Sequence, residues 1–371
     1  MFKTDILFTG FYGQKNTGDD AFVEVASWGA KNIWQKNNNR FLAIDENLPN
    51  TIIPSRGYPF SIPRTYSLQS NLLIKNADYL ISGGGSTIHS VMSKRNHKSK
   101  AVNRKQKTND IKIGGIGVSV GPFKTIEDEK AIEEYLKSVD FLAVRDIKSF
   151  EYVSSLNLPY KPINAFDLAA LLPDVYNYTP TSKEENKNKT IGVSVCRHES
   201  IQKDVDLRKE VNRNEQTIAL LKSIDKKDEV HFKFYVINGH SRIGDYLLTL
   251  ETIEKVAPKS YEVIEYSKDT QSVWKSIAKC DFVISTRLHA AIFACFSETP
   301  FMLNEYHRKC TDFLYNIGYN NNYRLFNSDF NPDEKANQIV EILNDKKQYT
   351  IPTRISEMKD LAMLNFTKVN L

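Results

Sequence analysis

The stretch DFVISTRLHAA, residues 281–291, decides the fold class, because an apolar run passes through small polar residues into a second apolar run. Its first four residues have the pattern of a buried strand, and its final alanines begin a helix that packs against that strand. The free N–H groups and positive dipole end of such a helix favour an anion, with Ser285 as a binding candidate. Arg287 adds a planar set of donors that stays charged, and His289 adds a group that exchanges a proton near neutral pH. The stretch predicts an anion site, unless Arg287 pairs with a nearby acid and His289 is an ordinary half-buried histidine.

The alternation of strand-length apolar runs with helical patterns continues on both sides of this stretch. It is typical of parallel sheets flanked by helices. A chain of 371 residues also exceeds what one core usually supports. We predict an α/β fold of two Rossmann-like domains facing each other across a cleft, with ligands at the carboxyl ends of the strands. The predicted strands are 6–8, 79–81, 113–118, 141–144, 191–195, 230–237, 261–264 and 281–284, and the predicted helices are about 21–34, 127–139, 214–224, 245–256, 270–278 and 354–363.

A polar, turn-rich segment at 173–189 predicts the linker between the two domains. We therefore place the first domain at residues 1–175 and the second at residues 176–350. Residues 351–371 include a segment with helical spacing, which we expect to pack back on the first domain.

Composition and charge exclude several classes of function. A net charge of +5, with acids and bases mixed, is too weak to indicate nucleic-acid binding. We find no leader and no apolar stretch of membrane-spanning length, so we predict a cytoplasmic protein. The four cysteines and the histidines lack the spacing of a zinc site, so no metal is expected. One basic segment, residues 94–107, is either a solvated mobile loop or a contact for an anionic acceptor or the inner face of a membrane.

The segment 10–20 follows the first strand and opens the first helix. Its glycines allow close backbone approach, and Asn16 is a candidate for substrate binding. Asp19 or Asp20 would hold or deprotonate a sugar hydroxyl, or would simply cap the helix.

Two further strand ends in the first half carry candidate residues. The glycines Gly83, Gly84 and Gly85 leave room for a ligand and expose N–H groups around it. Arg145 also follows a strand, where we expect it to pair with an acid rather than reach the cleft. Asp167 closes the first domain near the linker.

The second half supplies the candidate cations. Arg197 follows the strand at 191–195, so it projects from the same sheet edge as Arg287. Two arginines that converge on one point are costly without an anion between them. Lys309 is either a further cation of this site or a solvated surface lysine.

These motifs, in this order, resemble the polysaccharide pyruvyl transferase family over about residues 5 to 318. Two departures are Asp20, where the family commonly has glutamate, and the long basic insert after His89. The motifs that carry the resemblance are Gly18-Asp19-Asp20, Ser82-Gly83-Gly84-Gly85, Val144-Arg145-Asp146, Asp167, Arg197, Ser285-Thr286-Arg287-Leu288-His289-Ala290, Tyr306 and Lys309.

The resemblance implies a GT-B fold and an enzyme that uses phosphoenolpyruvate to place a ketal-linked pyruvate on a sugar of a surface polysaccharide or its precursor, lipid-linked or not. It implies an acceptor side in the first domain and a donor side in the second. Carried over by residue, it implies that Arg197, Arg287 and His289 bind the donor, and that Leu288 lines the pocket through its backbone.

The chemistry of that reaction suits these residue types. Phosphoenolpyruvate carries a carboxylate and a phosphate close together, which Arg197 and Arg287 would neutralise. Ketal formation needs a general acid for the methylene carbon, for which we choose His289, and a base for the hydroxyl, for which Asp19 and Asp20 are candidates. No cofactor and no metal is expected beyond the donor itself. Two alternatives are a GT-B glycosyltransferase with a nucleotide-sugar donor and a non-catalytic binding protein.

Overall fold

The structure is a computed structural model that describes residues 2–180, 189–202, 205–327 and 329–371. In these residues two parallel sheets, each flanked by helices, form two α/β domains. The predicted fold class is confirmed. No helix in the described part of the chain is long and apolar enough to cross a bilayer.

The first sheet has the strand order β2-β1-β3-β4-β5-β6 with parallel pairing throughout. Its strands are β1 (Thr4–Thr9), β2 (Asn39–Phe41), β3 (Ala77–Ile88), β4 (Lys112–Val120), β5 (Phe141–Val144) and β6 (Ile163–Asn164). The helices of this part of the chain are α1 (Thr17–Asn32), α2 (Tyr66–Lys75), α3 (His97–Thr108), α4 (Ile126–Lys137), α5 (Ile147–Ser155) and α6 (Leu172–Val175).

The second sheet has the order β11-β10-β7-β8-β9 and is also parallel. Its strands are β7 (Lys189–Ser194), β8 (Val230–Tyr235), β9 (Tyr261–Ile264), β10 (Phe282–Ser285) and β11 (Phe301–Leu303). The remaining helices are α7 (Arg208–Lys227), α8 (Tyr246–Val256), α9 (Thr270–Ala278), α10 (Leu288–Phe296), α11 (Arg308–Asn316), α12 (Pro332–Asn344) and α13 (Ile355–Thr367).

Burial explains why the stretch at 281–291 folds as predicted. All four residues of β10 are buried, as expected for a central parallel strand covered on both faces. In α10 every residue except His289 is buried. Thr286 and Arg287 connect the two elements, so the start of α10 lies at the carboxyl edge of the sheet.

The glycine run was expected where a strand ends, but it lies inside β3. Pairing of β3 with β4 continues from Tyr79 to Ile88, with a register shift between Gly85 and Ile88. Gly84 and Gly85 have φ values of +75° and +80°, which glycine adopts without strain. The glycines therefore allow the strand to continue through this local irregularity.

The predicted linker at 173–189 starts too early. Pro173 and Val175 are buried in α6, because the apolar sequence there packs on α1. Residues 181–188 of the predicted linker lie outside the described residues.

Residues 97–108 of the basic segment form α3, so the prediction of a loop is wrong for them. Ala101 is buried, and Lys98 donates to the carbonyl oxygen of Thr87 at 2.7 Å. Arg104 donates to the carbonyl oxygen of Ala77, and Lys105 pairs with Asp140 at 2.7 Å. Three of the basic residues thus have structural partners.

Helix α13 packs on the first domain. The Asn365 side chain is fully buried, where it accepts from the backbone N–H of Gly117 in β4 and donates to the carbonyl oxygen of Phe166. The indole N–H of Trp34 donates to the carbonyl oxygens of Phe366 and Val369. The chain therefore crosses from the second domain back to the first.

Candidate functional site

A cavity of about 160 Å³ lies between the two domains, where the carboxyl ends of strands from the first sheet approach the second domain. The first domain lines it with Ser86, Ser119 and Arg145 among others. The second domain contributes Leu288, at the start of α10, and Lys309, in α11. A cleft between the domains was predicted, and Leu288 lies in it.

The first turns of α1 and α10 meet next to this cavity. A methyl group on Gly18 would lie 2.1 Å from Nδ1 of His289, so only glycine permits this approach. The imidazole packs edge-on against Phe22, with ring centroids 5.2 Å apart. Its Nε2 atom is buried and has no hydrogen-bond partner among the described residues. Two helix N-termini, each with a positive dipole end, therefore converge beside an unpaired imidazole nitrogen.

Arg145 is held firmly at the cavity wall. Its guanidinium pairs with Asp167 at 2.7 Å and donates to the hydroxyl oxygens of Ser119 at 2.9 Å and Ser86 at 3.3 Å. It also lies 6.0 Å from the ring of Phe22, the ring that contacts His289. The expected ion pair of Arg145 is present, and the same side chain also faces the cavity.

Asp19 lies among these cations. Burial raises the pKa of its carboxyl to about 7, against the opposing influence of Arg145, Lys309 and Arg287. A carboxyl that is partly protonated near neutral pH can both donate and accept a proton. Asp19 is therefore the group of this cluster best suited to acid–base work.

His289 differs from the expectation of a general acid at neutral pH. Burial lowers the pKa of its imidazole to about 4; Asp167 opposes the shift, and Arg145 and Lys309 add to it. In the ligand-free site the ring is therefore neutral at pH 7. It can still donate or accept a hydrogen bond at Nε2.

Lys309 supplies a second cation to the cavity. The residue has exposed surface, but its ammonium group is crowded enough for desolvation to lower its pKa. The ammonium lies 5.7 Å from the ring centroid of Tyr306. Lys309 is thus an exposed lysine that also lines the cavity.

Arg197 and Arg287 each pair with an acid in the structure, and their convergence on one anion stays a prediction. Arg287 forms a two-pronged pair with the fully buried Asp245, at 3.0 and 2.9 Å from its Nε. Arg197 pairs with Glu251 at 3.0 Å. Neither arginine lines the cavity. The sheet edge is the predicted one, and acids at the start and in the middle of α8 pair with the two guanidinium groups. The charge of Arg287 still acts on Asp19 and His289.

Two acceptor-side candidates have structural partners instead. Asn16 caps α1, with its side-chain oxygen accepting from the N–H of Gly18 at 3.0 Å. Asp20 is fully buried and accepts from the hydroxyl of Tyr266 at 2.8 Å, which joins α1 to the second domain. We assign both residues to the domain interface rather than to the cavity.

The glycine run and Ser285 also have mainly structural contacts. A Cβ on Gly83 would meet the hydroxyl of Tyr12, and one on Gly84 would meet the ring of Phe22, so these two glycines serve packing. A Cβ on Gly85 would make only ordinary contacts, at 3.8 Å from Phe22 and from Thr87. Ser285 is buried and donates to the carbonyl oxygen of Arg287 at 2.6 Å, which stabilises the strand–helix junction.

Sequence reasoning missed three contributions to this cluster. Gly18 was not singled out for its contact with His289, and Ser86 and Ser119 were not assigned to the cavity wall. Their positions directly before a helix or at a strand end were visible in the sequence. What was not visible is the partner of each contact, which is His289 for Gly18 and Arg145 for the two serines. No group of three potential metal ligands occurs among the described residues.

Comparisons with known proteins agree on family and fold. A family model described as polysaccharide pyruvyl transferase matches residues 16–308. A search of curated proteins finds no match. Solved structures similar to this chain include three epimerase-like proteins, all below 25% identity, so the likeness shows the fold alone: the predicted GT-B arrangement. They are a putative UDP-N-acetylglucosamine 2-epimerase from Listeria monocytogenes (TM-score 0.59, 9% identity, 100% of this chain and 98% of that chain covered), S. aureus MnaA with UDP (0.59, 12%, 99% and 99%), and UDP-GlcNAc 2-epimerase from Neisseria meningitidis bound to UDP-GlcNAc (0.56, 10%, 99% and 100%).

Proposed function

The chain belongs to the polysaccharide pyruvyl transferase family, and we propose that it transfers the three-carbon unit of phosphoenolpyruvate to two hydroxyls of a glycan, forming a pyruvate ketal and inorganic phosphate. The acceptor is a sugar of a surface polysaccharide or of its precursor. We propose no cofactor or metal for this reaction, since the cations of the site can neutralise the donor.

The observation that carries the proposal is that two cations from different domains line one small cavity, and that their charges act on a carboxyl whose pKa burial raises. Arg145 and Lys309 come from different domains and both line it. Asp19, with its pKa near 7, lies within the field of both. A volume of about 160 Å³ is below the roughly 300–1,000 Å³ typical of pockets for drug-sized ligands. A compact dianion suits this cavity better than a nucleotide sugar does.

In the proposed reaction Asp19 gives its proton to the methylene carbon of phosphoenolpyruvate while a glycan hydroxyl oxygen bonds to the adjacent carbon. The hydroxyl proton returns to the Asp19 carboxylate. The C–O bond to phosphate then breaks, Arg145 and Lys309 stabilise the leaving phosphate, and the second hydroxyl closes the ketal as its proton goes to that phosphate. His289 is a neutral hydrogen-bonding group at Nε2. This reverses the roles expected for His289 and Asp19 from sequence.

The test uses purified chain, phosphoenolpyruvate and a panel of nucleotide- and lipid-linked glycans, with phosphate release and product mass as readouts. Asp19→Asn should lower turnover by roughly 100- to 10,000-fold and keep donor binding. Arg145→Gln and Lys309→Met should weaken donor binding, whereas Lys148→Met should not, although Lys148 is a cation that pairs with Asp312 of the cavity wall.

Two outcomes would replace the proposal. A nucleotide sugar that raises the melting temperature when phosphoenolpyruvate does not would favour the glycosyltransferase, and the neighbours solved with UDP or UDP-GlcNAc make that the competitor to include. Donor binding without turnover on any glycan of the panel would favour a binding protein. Equal pH–rate profiles for Asp19→Asn and the unmodified chain would assign the proton to another group, with His289→Asn as the next variant.

A further inference from the structure

The second domain exposes an unusual number of large apolar side chains in two stretches. Of the twenty large apolar residues that are exposed in the described chain, eight lie at 201–211 and 243–250. Leu207 is 49% exposed and Leu247 is 58% exposed. The full set, called the α7–α8 face below, is Ile201, Val205, Leu207, Val211, Ile243, Tyr246, Leu247 and Leu250.

These two stretches form one surface. Strands β7 and β8 are neighbours and parallel, so α7 and α8, which follow them, both begin at the carboxyl edge of the sheet. The ion pair of Arg197 with Glu251 at 3.0 Å ties the segment before α7 to α8. Exposed apolar side chains gathered at one sheet edge are typical of a binding surface.

Cations outnumber carboxylates on the described part of the α7–α8 face, although Arg197 and Arg208 each pair with a carboxylate there. Within the described residues of 197–212 and 240–251, the cations with exposed surface are Arg197, Arg208, Lys209 and Arg242, against the exposed carboxylates of Asp206 and Glu251. Exposed basic residues beside aliphatic ones suit the surface of an anionic lipid bilayer, where charged headgroups cover the acyl chains. Seven of the eight apolar residues are aliphatic, whereas protein interfaces favour aromatic residues and methionine.

We propose that the α7–α8 face docks on the anionic surface of a lipid bilayer. Leucine, isoleucine and valine side chains enter the boundary between headgroups and acyl chains, and Lys209 and Arg242, which carry no carboxylate partner among the described residues, contact the headgroup phosphates. The docking site differs from residues 94–107, the basic segment that the sequence suggested for membrane contact. There Lys98, Arg104 and Lys105 already have protein partners.

The face lies close to the candidate site. The ring of His198, just before the first stretch, packs 5.3 Å from that of His307, which lines the cavity. A bilayer at this face would therefore lie on the side of the molecule where the cavity is. The proposal does not depend on the pyruvyl transfer, because docking needs neither donor nor acceptor.

The experiment is co-sedimentation of the purified full chain with vesicles. One set contains phosphatidylcholine alone, and the other phosphatidylcholine with phosphatidylglycerol. We expect binding to the anionic vesicles that weakens as salt rises, since screening shortens the range of the attraction. The variant Leu207→Asp/Leu247→Asp should partition into the vesicles at least about tenfold less. It removes two aliphatic side chains from the bilayer boundary, and its two new carboxylates are repelled by the anionic headgroups.

Matched variants keep the test specific. Leu68→Asp removes an apolar side chain that is 61% exposed on α2 and should bind as the unmodified chain does. His289→Asn should bind equally well, so a failed transferase assay leaves this result intact. Melting temperatures establish that each variant is folded.

Three outcomes would overturn the proposal. One is no binding to anionic vesicles. Another is loss of binding in Lys94→Glu/Arg95→Glu with binding kept in Leu207→Asp/Leu247→Asp, which would move the contact to the basic segment. The third is a dimer of the unmodified chain that dissociates in Leu207→Asp/Leu247→Asp without vesicle binding, which would make the face an interface between copies.

Discussion

Replacement of Gly18 by alanine tests whether the approach of α1 to α10 builds the site. The new methyl carbon would lie 2.1 to 2.6 Å from three atoms of the His289 ring. Non-bonded carbon contacts are normally about 3.5–4.0 Å, so the ring or the helix must move by about 1 Å or more. Overpacking costs about 1–3 kcal/mol, and the better helix propensity of alanine offsets about 1 kcal/mol, so the net loss of stability is about 0–2 kcal/mol. A displacement of this size at a reacting group lowers turnover about 100-fold.

Gly29 of the same helix provides the matched control. A methyl group there would lie 2.1 Å from the ring of Phe366, an equally severe overlap that is remote from His289. Melting temperature, calorimetric binding of phosphoenolpyruvate and phosphate release are measured for Gly18→Ala and Gly29→Ala. Both variants should lose similar stability, and only Gly18→Ala should lose donor binding and turnover. Unchanged function in Gly18→Ala, or an equal loss in Gly29→Ala, would refute the idea that this contact places the imidazole.

Three further measurements follow from buried polar groups. Arg287→Met leaves the Asp245 carboxylate buried without its partner, so urea unfolding should show a loss of about 3–5 kcal/mol, and Arg287→Met/Asp245→Leu should recover most of it; unaltered stability with loss of donor binding would make Arg287 a ligand instead. Burial raises the pKa of Asp20 to about 7, above its unfolded value of about 3.9, so its contribution to stability is full below about pH 4 and is lost as the pH rises through 7. Asp20→Asn, which still accepts from Tyr266, should therefore become more stable relative to the unmodified chain between pH 5 and pH 8, and a pH-independent difference would contradict the shifted pKa. Asn365→Ala leaves two buried backbone groups without their hydrogen-bond partner and should lower the free energy of unfolding, measured by thermal unfolding, by about 1–3 kcal/mol. Unchanged stability would indicate that water replaces the amide.

The fold class could be predicted from the sequence because the spacing of apolar residues, which indicates strands and helices, is a local property of the chain. The strands at Phe141–Val144 and Tyr261–Ile264 match their predicted bounds, since each is a short apolar run between polar residues. The stretch at 281–291 likewise formed the predicted strand and helix. Family membership followed from motifs that keep their order along the chain.

The direction of side chains could not be predicted in the same way. Arg287 and its partner Asp245 are 42 residues apart, and nothing near either residue in the sequence indicates the pair. Arg197 lies at the predicted sheet edge. The orientation of its guanidinium depends on its ion pair with Glu251, which the local sequence does not indicate. The same holds for Asp19, whose raised pKa depends on its burial in the folded chain.

The attachment of α13 to the first domain has a consequence during synthesis. Asn365 completes hydrogen bonds of β4 at Gly117, a residue that emerges from the ribosome 248 positions earlier. At about 5–20 residues per second, the growing chain waits roughly 10–50 s for this partner. Throughout that interval the early half of the polypeptide shows an unfinished surface to chaperones and proteases. A translation product that stops before α13 lacks these hydrogen-bond partners altogether.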